Sequence, residues 1–108
     1  VVDARANDRF HGQNETLDPV GGHIPNAINY CFRENLSRKS FKTPEQLYKD
    51  FVGLLGSTKA SEVIHQCGSG VTACHNLLAM EVAGLRGSRL YAGSWSEWCA
   101  DPKRPVEK

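Results

Sequence analysis

At 108 residues the chain is long enough for one hydrophobic core and too short for two. With 40% hydrophobic and 23% charged residues, its composition is that of a globular domain and not of a disordered tail. A formal charge of +1 gives no electrostatic footprint for nucleic acid, and no run approaches the roughly 18 apolar residues of a membrane span.

Val1-Val2-Asp3-Ala4 reads as a strand that begins without a polar lead-in, as in a piece of a longer chain. Arg5, Arg9 and His11 follow it. In a parallel sheet the loops beyond the strand C-termini hold ligands, so Arg9 either faces such a crevice or pairs with an acid such as Asp3, Asp8 or Glu15. Gln13 to Gly22 reads as an irregular loop, and Gly22 to Asn29 as a turn into a short strand, with His23 bracing the turn. Residues 33–42 read as a solvated connection.

A helix starts at Thr43, with Pro44 at its first position and Gln46 completing a capping box. Leu47, Phe51, Leu54 and Leu55 give it one apolar face, and Gly56 closes it. After Arg89-Leu90-Tyr91, a final strand, Ser94 caps a short helix through Trp98, and the tail from Asp101 is extended. Strands alternating with helices indicate α/β, with a mainly parallel central sheet and helices on both faces.

The chemistry concentrates between Val63 and Cys74. Val63-Ile64 reads as a buried strand ending at Cys67, and Gly68 and Gly70 let the next turn curl. Val71, Cys74, Leu78, Val82 and Leu85 are spaced as one apolar face of a following helix, which places Cys74 in the core. Backbone N–H groups at such a strand-to-helix turn favour an anion and therefore the thiolate of Cys67. The four cysteines lack the paired spacing of a structural zinc site, and His65, Cys67, Cys74 and His75 do not form a closed tetrahedral pattern. No metal and no cofactor is expected. Reduced thiols in a cytoplasmic setting are.

Three segments together resemble a rhodanese-type sulfurtransferase domain. Cys67-Gly68-Ser69-Gly70-Val71-Thr72 resembles the active-site loop of the mercaptopyruvate branch. Leu90 to Trp98, with Gly93-Ser94-Trp95-Ser96-Glu97-Trp98, is similar to the family's C-terminal signature. Gly22-His23-Ile24-Pro25 is similar to its G-H-I-P turn, with Asn26 where glycine is usual.

The resemblance covers nearly all of residues 1–108 and implies a rhodanese-like three-layer sandwich, the C-terminal half of a two-domain chain whose first rhodanese-like domain is missing here. It implies that Cys67 takes a sulfane sulfur from 3-mercaptopyruvate or thiosulfate as a persulfide. The sulfur then passes to cyanide or to a thiol acceptor such as thioredoxin. Arg9 would hold the donor's anionic group, and Gly68, Ser69, Gly70, Val71 and Thr72 would form the loop around sulfur and substrate. A second arginine usual in that branch is replaced here by Asp18. That branch also draws a histidine and an aspartate from the first domain, for which His11, His65 and His75 are this chain's available substitutes.

Cysteine phosphatases of related fold need an arginine six positions after the cysteine, where this chain has Ala73. The remaining alternative is a sulfur-carrier or protein-interaction module that accepts a persulfide at Cys67 without turning over small donors.

Overall fold

The computed structural model describes residues 1–37, 40–68 and 70–108. Its strands are β1 (Val2–Asp3), β2 (Ile28–Asn29), β3 (Leu36–Ser37), β4 (Ser40–Phe41), β5 (Ile64–Gln66) and β6 (Arg89–Leu90). Its helices are α1 (Asn7–Phe10), α2 (Pro44–Leu55), α3 (Ala73–Val82) and α4 (Ser94–Trp98). Strands β2-β1-β5-β6 form one sheet in that order, and every pairing is parallel. Val2 stands opposite Ile28 on one side and His65 on the other, and Ile64 stands opposite Arg89. Parallel neighbours need long crossovers, which α2 and α3 supply.

The helices cover both faces. Val2, Leu47, Phe51, Val63, Ala79 and Met80 form the cluster under α2 and α3. Phe10, Ile24, Ala27, Trp95 and Cys99 form a second cluster under α1 and α4. Along the chain entering β5, Val63 joins the first cluster while Ile64 shares a groove with Ile24 and Trp98. The alternation of a strand puts these two residues on opposite faces. The fold is the expected α/β sandwich.

Helix α2 forms as its sequence directs. The Thr43 hydroxyl accepts the Gln46 N–H, the Gln46 side chain accepts the Thr43 N–H, and Leu47 and Phe51 are fully buried.

Helix α3 does not follow its expected phase. Val71 is 75% exposed, Leu78 51% and Val82 40%, and Cys74 is exposed, so none of these four lies in the core. The buried face is the opposite one: Ala73, Asn76, Ala79 and Met80. Two alanines let this helix approach the sheet closely. Asn76 tolerates burial because its amide donates to the Tyr30 carbonyl at 2.8 Å and accepts from Asn35 at 2.6 Å. Helical structure also begins only at Ala73, which leaves Val71 outside the repeat.

Two further expectations are corrected. The segment read as a solvated connection carries a 3-10 turn at Phe32–Asn35 and the antiparallel pair β3–β4, with Asn35 fully buried on Asn76. Ser94 does not cap α4. It is the helix's first residue, at φ 54°, and its hydroxyl is directed elsewhere. The tail is tied down: Glu107 and His23 exchange backbone hydrogen bonds. His23 braces its turn as expected, with Nδ1 at 2.8 Å from the Phe10 carbonyl and its ring stacked on Phe10.

Candidate active site

Strand β5 ends at Gln66 and Cys67 follows it, at the edge where β1 runs out into Arg5 and the helix α1. Cys67 is only 1% exposed, packed in a small cluster with Ala4, Ala73 and Phe32. Its backbone is fixed on both sides. The N–H donates to the Ser94 hydroxyl at 3.0 Å, and the carbonyl accepts the Trp95 N–H at 2.9 Å. One residue on, the Gly68 carbonyl accepts the Ser96 N–H at 2.9 Å. The start of α4 therefore holds the cysteine loop by three hydrogen bonds. Ser94 Oγ also donates to the Tyr91 carbonyl, which fixes the hydroxyl that receives the Cys67 N–H.

The loop turns back on the sulfur. The Gly70 N–H donates to Cys67 Sγ at 3.0 Å. Gly70 reaches this position at φ 93°, and a β-carbon there would collide with the Ala92 carbonyl oxygen. Cys74, one turn on, donates its thiol to the Gly70 carbonyl at 3.4 Å.

Beyond the sulfur opens a pocket of about 420 Å³. Cys67, Gly68, Val71, Thr72 and Arg9 line it together, as the sequence reading brings them, and Gly70 reaches the sulfur from below. Ser69 lies outside the described residues. None of His11, His65 or His75 lines this pocket. Among the described residues no group of three or more His, Cys, Asp or Glu converges as a metal site.

Arg9 does both things the sequence allowed. Its guanidinium lies against Gly68, within 3.6 Å of where a β-carbon would stand. It also donates to Glu15 at 3.1 Å and stands 3.6 Å from Asp18. Burial pushes the Glu15 carboxyl up, but hydrogen bonds from Arg9 and from the Leu17 and Asp18 N–H groups outweigh it and hold the group below its usual range. Arg5 is buried on Asp3 and also donates to the Gly22 carbonyl, which makes it a brace for the Arg9 loop.

Three contributors lack a motif-level signal, whereas Ser96 lies in the C-terminal signature. Asp18, Cys31 and Arg33 line the pocket from segments far from Cys67 in sequence. Only the proximity of Asp18 to the usual position of a second arginine marks it in the sequence. The arrangement is a buried cysteine with an N–H on its sulfur, in a pocket that also presents Arg9 and the Asp18 carboxylate.

The model of the family described as "Rhodanese-like domain" matches residues 1–101. The chain is 54% identical over 107 residues to a Pseudomonas aeruginosa protein provisionally named a 3-mercaptopyruvate sulfurtransferase, covering 98% of this chain and 38% of that one. It is 38% identical over 106 residues to a Mycobacterium tuberculosis protein provisionally named a thiosulfate sulfurtransferase, covering 98% and 37%. In structure it is similar to the 3-mercaptopyruvate sulfurtransferase from Leishmania major, with a TM-score of 0.80 and 31% identity over 92% of this chain and 29% of that one. The chain thus spans well under half the length of these relatives.

Proposed function

Because this chain belongs to the rhodanese-like domain family, we propose that it is the cysteine-bearing domain of a sulfurtransferase. The observation that carries the reading is the Gly70 N–H at 3.0 Å from Cys67 Sγ, in a pocket that also presents Arg9. An N–H fixed on the sulfur stabilises negative charge there, whether on a thiolate or on the sulfur of a persulfide.

In the proposed reaction the Cys67 thiolate attacks the sulfur of the donor. With 3-mercaptopyruvate, the donor's carbon–sulfur bond breaks and its thiol proton ends on the methyl group of pyruvate. With thiosulfate, the sulfur–sulfur bond breaks and sulfite leaves. Either way Cys67 becomes a persulfide. An acceptor thiol, or cyanide, then takes the outer sulfur and returns the thiolate. Arg9 pairs with the donor's anionic group, while Gly68, Ser69, Val71 and Thr72 shape the approach to the sulfur.

A second rhodanese-like domain and a small thiol protein such as thioredoxin are the partners this reading includes. It also needs a reduced Cys67, which a cytoplasmic setting maintains. No described helix is long and apolar enough to cross a membrane.

The test is the intact mass of the protein after exposure to either donor. A gain of one sulfur atom in the parent, absent in Cys67→Ser, is the expected result. A gain that survives the substitution would assign the sulfur elsewhere. One observation favours a second reading, a carrier without turnover: Arg9 is already engaged by Glu15 and faces Asp18, which weakens its hold on a small anion. Multiple-turnover kinetics with small donors separate the two.

A further inference from the structure

The loop of residues 13–22 brings the carboxylate of Asp18 into the pocket beside Arg9, and pairs a second carboxylate, Glu15, with the same arginine outside the pocket lining. Glu15 has structural duties: it accepts from Arg9 and from the N–H groups of Leu17 and Asp18. Asp18 is placed differently. Its Oδ2 stands 3.6 Å from the Arg9 guanidinium, and its Oδ1 accepts the Ser96 hydroxyl at 2.7 Å. Ser96 is the residue whose N–H holds the Gly68 carbonyl, so the Asp18 carboxylate is anchored to the backbone of the cysteine loop. It lines the same pocket as Cys67 and cannot swing away without losing that bond.

Among the described residues that line the pocket, Asp18 is the one carboxylate, alongside Arg5, Arg9 and Arg33. Arg5 is paired with Asp3 and stands 3.7 Å from Glu15, Arg9 is paired with Glu15, and the Asp18 carboxylate is left facing the pocket beside Arg9. A donor whose anionic group reaches Arg9 must come close to the Asp18 carboxylate. Like charges a few ångströms apart in a partly desolvated pocket repel strongly, and the repulsion grows with the donor's charge.

We propose that Asp18 is the donor-selecting residue of this site: its anchored carboxylate discriminates against a dianionic sulfur donor in favour of a monoanionic one. A thiol-bearing keto acid, with one carboxylate and a neutral thiol, is the favoured class. Thiosulfate, with two charges around one sulfur centre, is the disfavoured one. The inference rests on the reading of Cys67 as a persulfide-forming nucleophile.

The experiment compares rates of sulfur loading on Cys67, by intact mass, from subsaturating 3-mercaptopyruvate and thiosulfate. It uses the parent, Asp18→Asn and Asp18→Glu, with far-UV circular dichroism confirming the fold of each. Asparagine keeps an oxygen for the Ser96 hydroxyl and removes only the charge. The expected result is that Asp18→Asn raises the thiosulfate-to-mercaptopyruvate rate ratio roughly tenfold or more, and that Asp18→Glu restores the parent's selectivity. Ser96→Ala, which frees the carboxylate from its anchor, moves the ratio in the same direction by less. Equal acceleration of both donors by Asp18→Asn would show that Asp18 merely obstructs Arg9, and an unchanged ratio would show that it does not select at all. Either result overturns the proposal. Loading from neither donor in any variant would instead overturn the sulfur-transfer reading, and this inference with it.

Discussion

At the scale of single residues, Ser94 and Gly70 hold Cys67 at its backbone and at its sulfur. Ser94 holds the Cys67 N–H and the Tyr91 carbonyl with one hydroxyl, fully buried and at a positive φ. Ser94→Ala leaves both groups without that partner and is expected to cost about 1–3 kcal/mol. It should also slow sulfur loading of Cys67, read by intact mass. Ser94→Gly loses the same bonds but removes the strain of the left-handed backbone, so its urea midpoint should lie above that of Ser94→Ala. Gly70→Ala sets a methyl group against the Ala92 carbonyl and moves the N–H off the sulfur. Loading should fall at least roughly tenfold, as for loss of one fixed donor to a developing anion. The sequence marks Gly70 well, since a glycine pair after a strand-end cysteine has few other uses. It marks Ser94 poorly, because a serine before a short helix looks like a cap.

At the scale of elements, the two long helices differ in how openly their sequences speak. Helix α2 announces its start with Thr43, Pro44 and Gln46 and packs large apolar residues, so both its bounds and its buried face are legible. Thr43→Ala should cost about 1 kcal/mol through loss of the cap. Helix α3 hides its inward face in Ala73, Asn76 and Ala79, small or polar residues that a hydrophobic-periodicity reading passes over. Its exposed Leu78 and Val82 attract that reading instead. Stability measurements distinguish the two faces. Met80→Ala should cost about 2–5 kcal/mol as a core truncation, whereas Leu78→Ala should stay within about 0.5 kcal/mol of the parent. The β3–β4 pair is illegible for a related reason: its anchor is buried Asn35, held by Asn76 from another element, and no local pattern encodes that contact.

For the whole molecule, the informative group is His65. It is fully buried in β5, and neither ring nitrogen has a hydrogen-bond partner among the described residues. Burial pushes its pKa from 6.5 down to about 4. In the unfolded chain the imidazole takes up a proton near pH 6.5, while in the folded chain it stays neutral until about pH 4. Stability present above pH 6.5 is therefore lost as pH falls toward 4, by about 3 kcal/mol in total. Urea midpoints measured from pH 7 to 4.5 should fall steadily in the parent and much less in His65→Leu. A small slope should remain from His75, whose pKa burial also lowers. An undiminished slope in the variant would place the proton uptake on another group.

The threading of the pocket has a consequence for how it comes into being. Trp95 Nε1 bonds the Val20 carbonyl across 75 residues, Ser96 meets Asp18 across 78, and Cys67 meets Ser94 across 27. Closures of such span cost chain entropy that only a nearly finished sheet repays, so they belong late in refolding. After dilution from denaturant, helical signal should recover before Cys67 becomes shielded from a thiol-reactive dye. A newly made chain would then pass through an interval in which the Cys67 sulfur is already present but not yet enclosed.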